Sequence, residues 1–275
     1  MRSLWKNKEE QQKVFNAVAS DVSNNESDLL GSLLRKDGQL VVCKLRSYVR
    51  RVKKGGIIVD AGCGTGTFMH EITDGLTDDC LVVGVDISVE SVKVAKQKMG
   101  DAEFIVCDVD ALPFKERVCD MVVLRNVLHH LSTLKPLDNV IALLNSNGFL
   151  LIDDKISGNP LQGIIISIYP LIPFKFKMVL RDHAGHIDRH GNLPPIEYRS
   201  PQNYVNFVKQ HHTELNILQI HYHGFFLFLN LLSFAQQFLP KLSNIHLPVY
   251  KLHFLEKSRM LRWSAVSMTI IAERV

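Results

Sequence analysis

Between residues 57 and 153 the sequence alternates short apolar runs with amphipathic ones, and that alternation leaves the chain few folds to choose from. The pattern predicts strands at 57–60, 81–86, 103–107, 119–124 and 148–153, with helices at 67–74, 88–99 and 133–145. Repeating βα units of this length form a parallel sheet with helices on both faces. A helix over 201–212 and strands over 215–220 and 265–272 extend the pattern toward the end of the chain. Ligands in such sheets sit at the carboxyl ends of the strands, so the residues just after each strand are the ones to examine.

After the first strand the chain reads Asp60-Ala-Gly62-Cys63-Gly64-Thr65-Gly66. Three glycines make a turn in which a ligand approaches bare backbone, and amide groups at the following helix face something polar. A nicotinamide-binding turn places its third glycine one position later, where this chain has Thr67. Asp86 ends the second strand twenty residues after Gly66. A carboxylate there accepts from a ribose, or caps the next helix in competition with Ser88. The third strand is followed by Cys107-Asp108-Val109-Asp110-Ala111-Leu112-Pro113-Phe114, with an acid placed to accept from an amino group. The fourth is Cys119 to Leu124, followed by Arg125-Asn126-Val127-Leu128-His129-His130-Leu131.

These four stretches, in this order and at these separations, resemble the motifs of class I S-adenosylmethionine (SAM)-dependent methyltransferases. Within them the chain looks like the branch of ubiquinone/menaquinone C-methyltransferases and lipid or natural-product enzymes. The likeness runs over about residues 10 to 155. It implies a Rossmann-like, doubly wound, seven-stranded sheet with an antiparallel last strand and SAM as cofactor. It assigns Asp60 and the loop Gly62, Cys63, Gly64, Thr65 and Gly66 to the methionine moiety, Asp86 to the ribose, and Asp108 with Val109 to the adenine. Ile87, Asp110, Arg125 and Asn126 complete the expected cofactor shell. Arg125-Asn126-Val127 resembles the quinone enzymes, whereas Leu128-His129-His130-Leu131 resembles the wider small-molecule group.

Three regions are expected: an N-terminal helical cap (1–55), a SAM-binding core (56–155), and a substrate side (156–275) that adds the last two strands. Residues 1–155 hold 20 Lys/Arg against 22 Asp/Glu, and residues 156–275 hold 12 against 6, so the charge divides as −2 and +6. Five cysteines without a C-x-x-C pair give no disulfide framework, and the charged N-terminal stretch does not resemble a signal peptide. A cytoplasmic protein is expected, with contact at a membrane surface left open.

Two insertions, 156–199 and 224–262, interrupt the family plan. Both carry apolar runs shorter than the roughly 20 residues of a membrane span, so helical lids are expected from them. Tyr169, His183, His186 and His223 are candidates for the substrate pocket. His183, His186, Asp188 and His190 also lie within reach of a metal, but their Ala-Gly and His-Gly steps favour a turn, and no metal is expected.

Displacement of a methyl group from a sulfonium needs alignment, a dry site and often a base. Histidine titrates near neutrality, which makes His129 or His130 the expected base. The expected function is transfer of a methyl group from SAM to oxygen or carbon of an apolar or amphiphilic small molecule. The alternatives are N-methylation of a macromolecule and non-catalytic SAM binding. No nucleic-acid partner is expected, since no basic groove is concentrated in the sequence.

Overall fold

The computed structural model describes residues 8–22, 42–75, 80–157, 196–223, 265 and 267–275. The strands are β1 (Gly56–Ala61), β2 (Cys80–Asp86), β3 (Glu103–Val106), β4 (Cys119–Arg125), β5 (Leu144–Lys155), β6 (Leu215–His223) and β7 (Ser267–Arg274). The helices are α1 (Lys8–Val22), α2 (described over 42–49), α3 (Thr67–Thr73), α4 (Val89–Lys98), α5 (Pro136–Ala142) and α6 (Pro201–His211). All seven strands join one sheet in the order β3-β2-β1-β4-β5-β7-β6. β7 runs antiparallel to both its neighbours, and the other pairs are parallel. Chain order reverses between β1 and β4, which opens a crevice at their carboxyl ends.

The central strands are apolar on both faces because both are covered. Val59, Ala61, Val122, Leu124, Leu150 and Ile152 share one core with Leu137, Val140 and Ile141 of α5 and Tyr204 and Val208 of α6. Ile58, Met121, Val123, Phe149 and Leu151 share the other with Leu45 and Val49 of α2 and Phe68, Met69 and Ile72 of α3. Adjacent residues of each strand therefore serve opposite layers, as the two-residue period of a strand requires.

The helix predicted over 133–145 is shorter. Pro136 occupies its first turn, and its last helical residue is Ala142. The chain enters β5 at Leu144 opposite Cys119, and pairing resumes at Phe149 opposite Met121, so four residues of β5 bulge against one of β4. Asn147 takes a positive φ of 64° within that bulge. Of the two expected lids, residues 158–195 and 224–264 lie outside the described residues. Among the described residues, no helix is long and apolar enough to cross a membrane.

Candidate active site

The turn after β1 is built as its glycines demand. Gly62, Gly64 and Gly66 have φ of 88°, 53° and 72°, a region that L side chains rarely adopt. The amides of Gly62 and Cys63 both donate to the Val85 carbonyl, at 2.7 and 2.9 Å, which folds the turn against the end of β2. A Cβ on Gly62 would stand 2.2 Å from the Val127 side chain. The Gly64 amide donates to Asp86 Oδ2 at 2.8 Å, and Asp86 Oδ1 accepts from the Ser88 amide at 2.8 Å. Ser88, not Asp86, caps α4, its hydroxyl accepting from the Ser91 amide at 3.0 Å.

Asp60 lies under this turn, 2% exposed. Its Oδ1 is buried without a hydrogen-bond partner among the described residues. Burial and the neighbouring Asp86 charge push its carboxyl up to about 7, against the pull of Arg125. A buried carboxyl oxygen left with no donor is costly, and it marks where a donor belongs.

Beyond β3, Asp108 caps the 3-10 turn Val109–Ala111 through the Asp110 amide at 3.0 Å. Lys8 of α1 reaches both acids, 2.8 Å from Asp108 and 2.6 Å from Asp110. Asp108 and Val109 line the cavity, whereas Asp110 is exposed and lies outside its lining. The expectation for Asp110 is corrected accordingly: the 3-10 turn carries its side chain out to Lys8.

At the end of β4, Arg125 stacks over the Phe68 ring, with its guanidinium carbon 4.0 Å from the centroid. Its Nε is 3.2 Å from Asp153. The Asp153 carboxylate also accepts from His223 Nε2 at 2.7 Å and the Thr269 hydroxyl at 3.0 Å. Burial alone would raise the Asp153 carboxyl, but His223, Arg125 and Thr269 hold it below its ordinary value. Asn126 has φ 55° and donates its amide to the Asp153 carbonyl at 2.8 Å, turning the chain into the 3-10 turn Leu128–His130.

That turn separates the two histidines. His130 lines the cavity. His129 is fully buried outside the lining, its Nδ1 in a short contact with Asp154 Oδ1 and its amide donating to Asp154 Oδ2 at 3.1 Å. Burial and the positive charges of Lys155 and Arg199 keep the His129 ring neutral, and burial pushes the Asp154 carboxyl up to about 7. The pair of candidate bases thus reduces to His130, because the His129 side chain is turned to Asp154 and lies outside the lining. Arg199 secures the turn from behind, donating to the Leu128 carbonyl at 2.8 Å and the Leu131 carbonyl at 2.6 Å.

The cavity between these loops has a volume of about 400 Å³ and a mainly apolar lining, within the roughly 300 to 1,000 Å³ of small-molecule sites. Asp60, Gly62, Cys63, Gly64, Thr65, Asp86, Ile87, Asp108, Val109, Arg125 and Asn126 all border it. Gly66 sits behind, where a Cβ would press to 3.1 Å from Ala95. Of the expected substrate residues, Tyr169, His183 and His186 lie outside the described residues. His223 is turned toward Asp153 and is not part of the lining.

The helical cap expected over 1–55 includes α1, but sequence reasoning missed its place at the cavity. Gln11 and Phe15 close one wall of the cavity, the Gln12 amide donates to the Ile87 carbonyl at 2.7 Å, and Asn16 accepts from the Ser88 hydroxyl at 2.7 Å. The available signal was a run of polar residues, Gln11, Gln12 and Asn16, on a helix that also carries Phe15.

Residues 52–167 match the methyltransferase domain family. Together with the sheet order and the loops just described, this makes the core a class I SAM-dependent methyltransferase domain. S-adenosylmethionine is the cofactor of that class. The chain is 33% identical over 113 residues to a tRNA (carboxymethyluridine(34)-5-O)-methyltransferase of Arabidopsis thaliana, a match covering 40% of this chain and 26% of the relative. Its fold is like that of magnesium protoporphyrin IX methyltransferase of Synechocystis with bound S-adenosylhomocysteine, at TM-score 0.61 and 16% identity over 98% of this chain and 99% of the other. It is also like that of geranyl diphosphate C-methyltransferase of Streptomyces coelicolor, at TM-score 0.60 and 16% identity over 98% of each chain. The chain spans only about a quarter of the length of the Arabidopsis relative.

The residues present fit the cofactor. Asp60 offers a buried oxygen in need of a donor, the Gly62 and Gly64 backbone leaves room for close approach, and Asp86 and Asp108 offer acceptors along one side. A cationic sulfonium with a primary ammonium, ribose hydroxyls and an adenine amino group presents donors and positive charge, which acidic walls suit.

Proposed function

We propose that this protein transfers a methyl group from SAM to an oxygen or carbon of a small apolar or amphiphilic acceptor. The observation that carries the reading is that, beside the acids, the described lining holds Phe15, Val127 and Leu131 with the imidazole of His130. Loops after β1, β2 and β3 supply acidic groups to the cavity, and α1 with the turn after β4 supplies Phe15, Val127 and Leu131. An apolar wall with one titratable group suits an acceptor that is mostly hydrocarbon or aromatic and carries one ionisable proton.

When bound, SAM supplies a methyl carbon on a positively charged sulfur that departs as a neutral thioether. Asp60 and the Gly62–Gly66 turn would hold its amino-acid end, Asp86 its ribose and Asp108 with Val109 its adenine. His130 would take the acceptor's proton and become an imidazolium. Phe15 and Leu131 exclude water from this step.

A second reading, methylation of a tRNA, draws support from the identity to the Arabidopsis relative. Transfer of radiolabelled methyl from SAM, offered in parallel to phenols, enols, long-chain acids and total tRNA, separates the two. Label in the low-molecular-weight fraction supports the first reading, and label in tRNA alone overturns it. The +6 charge of residues 156–275 supports a further element of the proposal, acceptor delivery at an anionic membrane surface. Salt-insensitive failure to co-sediment with anionic liposomes would remove that element.

A further inference from the structure

The groups behind His130 form a second layer that the cofactor does not use. Asp154 of β5 grips His129 twice, through the ring Nδ1 and through the main-chain amide. The His129 ring then lies against that of His130, centroids 4.0 Å apart and planes tilted by 45°. On its other side His130 meets Phe15 edge-on, centroids 4.9 Å apart. The His130 ring is therefore held between an apolar ring from α1 and an imidazole whose own orientation is set by a buried acid.

A clamp on the backbone of the turn needs no charge, since an amide side chain would accept the His129 N-H equally well. A buried carboxyl is a costly choice, as its upward shift to about 7 shows. What it adds is an ionisable group one imidazole away from the cavity. Its charged neighbours are Lys155 and Asp153 on the same strand, one of each sign, and Arg199 acts on the His129 ring. Asp60, Asp86, Asp108 and Arg125 line the same cavity as His130, and the segment that brings Arg199 also brings Glu197, whose amide donates to the His129 carbonyl at 2.8 Å. Among these, Asp154 alone reaches His130 through an intervening ring.

We propose that Asp154 and His129 are positioning residues for His130: Asp154 fixes the His129 ring, and through it the orientation and proton affinity of the imidazole at the cavity. The pair itself touches neither cofactor nor acceptor. The inference rests on the reading of His130 as the base.

The test is an NMR titration of the full chain with ¹⁵N-labelled histidine, the His130 signal being assigned by its disappearance in H130Q. In D154N the His130 midpoint is expected to shift by about half a pH unit or more, because the carboxyl that fixes the His129 ring against it is gone. H129N, which keeps a side-chain N-H for Asp154 and removes the intervening ring, is expected to shift it as well. Binding of S-adenosylhomocysteine, measured by calorimetry, is expected to stay within about threefold of wild type in both, as neither residue lines the cavity. An unchanged His130 midpoint in either folded variant overturns the proposal, and H129N decides if D154N does not fold. Wild-type methyl transfer by H130Q would strike the reading of His130 as base and leave the coupling among the three residues standing.

Discussion

Asp86 accepts the amide of Gly64 at 2.8 Å, so the acid that ends β2 holds the turn that follows β1. The carboxylate thus has two tasks, shaping the glycine turn and facing the cavity. Asp86→Ala is expected to weaken S-adenosylhomocysteine binding by about tenfold or more, roughly 1.4 kcal/mol, since it removes a charge-assisted hydrogen bond as well as a ligand acceptor. Asp86→Asn, which keeps one acceptor, is expected to lose less. Calorimetry on both variants checks the order, and equal losses would show that the shape of the turn does not depend on this bond.

Asp60 carries a pH signature. Its folded-state value is about 7 against 3.8 for the ordinary group, so the folded protein keeps a proton that the unfolded chain has released. Stability from this group is fully present below about pH 4 and is lost as the pH rises through 7. Asp154 acts in the same sense over the same window. The stability difference between Asp60→Asn and wild type is therefore expected to move in favour of the variant between pH 5 and pH 8. Urea unfolding at the two pH values measures it, and a difference independent of pH would show that Asp60 is already ionised in the folded protein.

Arg199 supports the turn bearing His130 through two main-chain carbonyls. Arg199→Ala leaves both without their donor and is expected to cost about 2 kcal/mol or more. Arg199→Lys, a single ammonium in place of a fork, is expected to recover less than half of that. Thermal and chemical denaturation of the two variants gives the comparison.

Lys8 joins α1 to the acids after β3. Being half exposed, it is expected to contribute less than about 1 kcal/mol to stability, so Lys8→Ala should melt close to wild type. Its effect is expected in kinetics, as S-adenosylhomocysteine release several times faster once α1 is no longer tied to Asp108. Stopped-flow displacement reads the rate, and unchanged release would place the hold of α1 on Gln12 and Asn16 alone.

What sequence conveyed and what it withheld divide along contact distance. The glycine turn, Asp60, Asp86 and Asp108 were legible because each sits at a strand end defined by its own local pattern, and the sheet then brings those ends together. The separation of His129 from His130 was not, because it depends on Asp154, 25 residues on, and on Arg199, about 70 residues on. The pairing of α1 with Ile87 and Ser88 spans 72 to 75 residues and has no periodic signature. Asp110 shows the opposite failing, an acid at the right position in the motif whose side chain a short 3-10 turn diverts. The overlong helix at 133–145 arose because Leu143, Leu144 and the bulged start of β5 continue an apolar pattern that Pro136 and Asn147 interrupt in space.

Asp153 and Asp154 are neighbours in sequence on opposite sides of β5, one serving Arg125, His223 and Thr269, the other His129. A strand that slid by one residue would send each acid into the wrong layer, stranding two charges in apolar surroundings and leaving two sets of donors unanswered. The two networks therefore act as a lock on alignment as well as on chemistry: the only seating of β5 that satisfies both acids at once is the one that also presents His130 to the cavity.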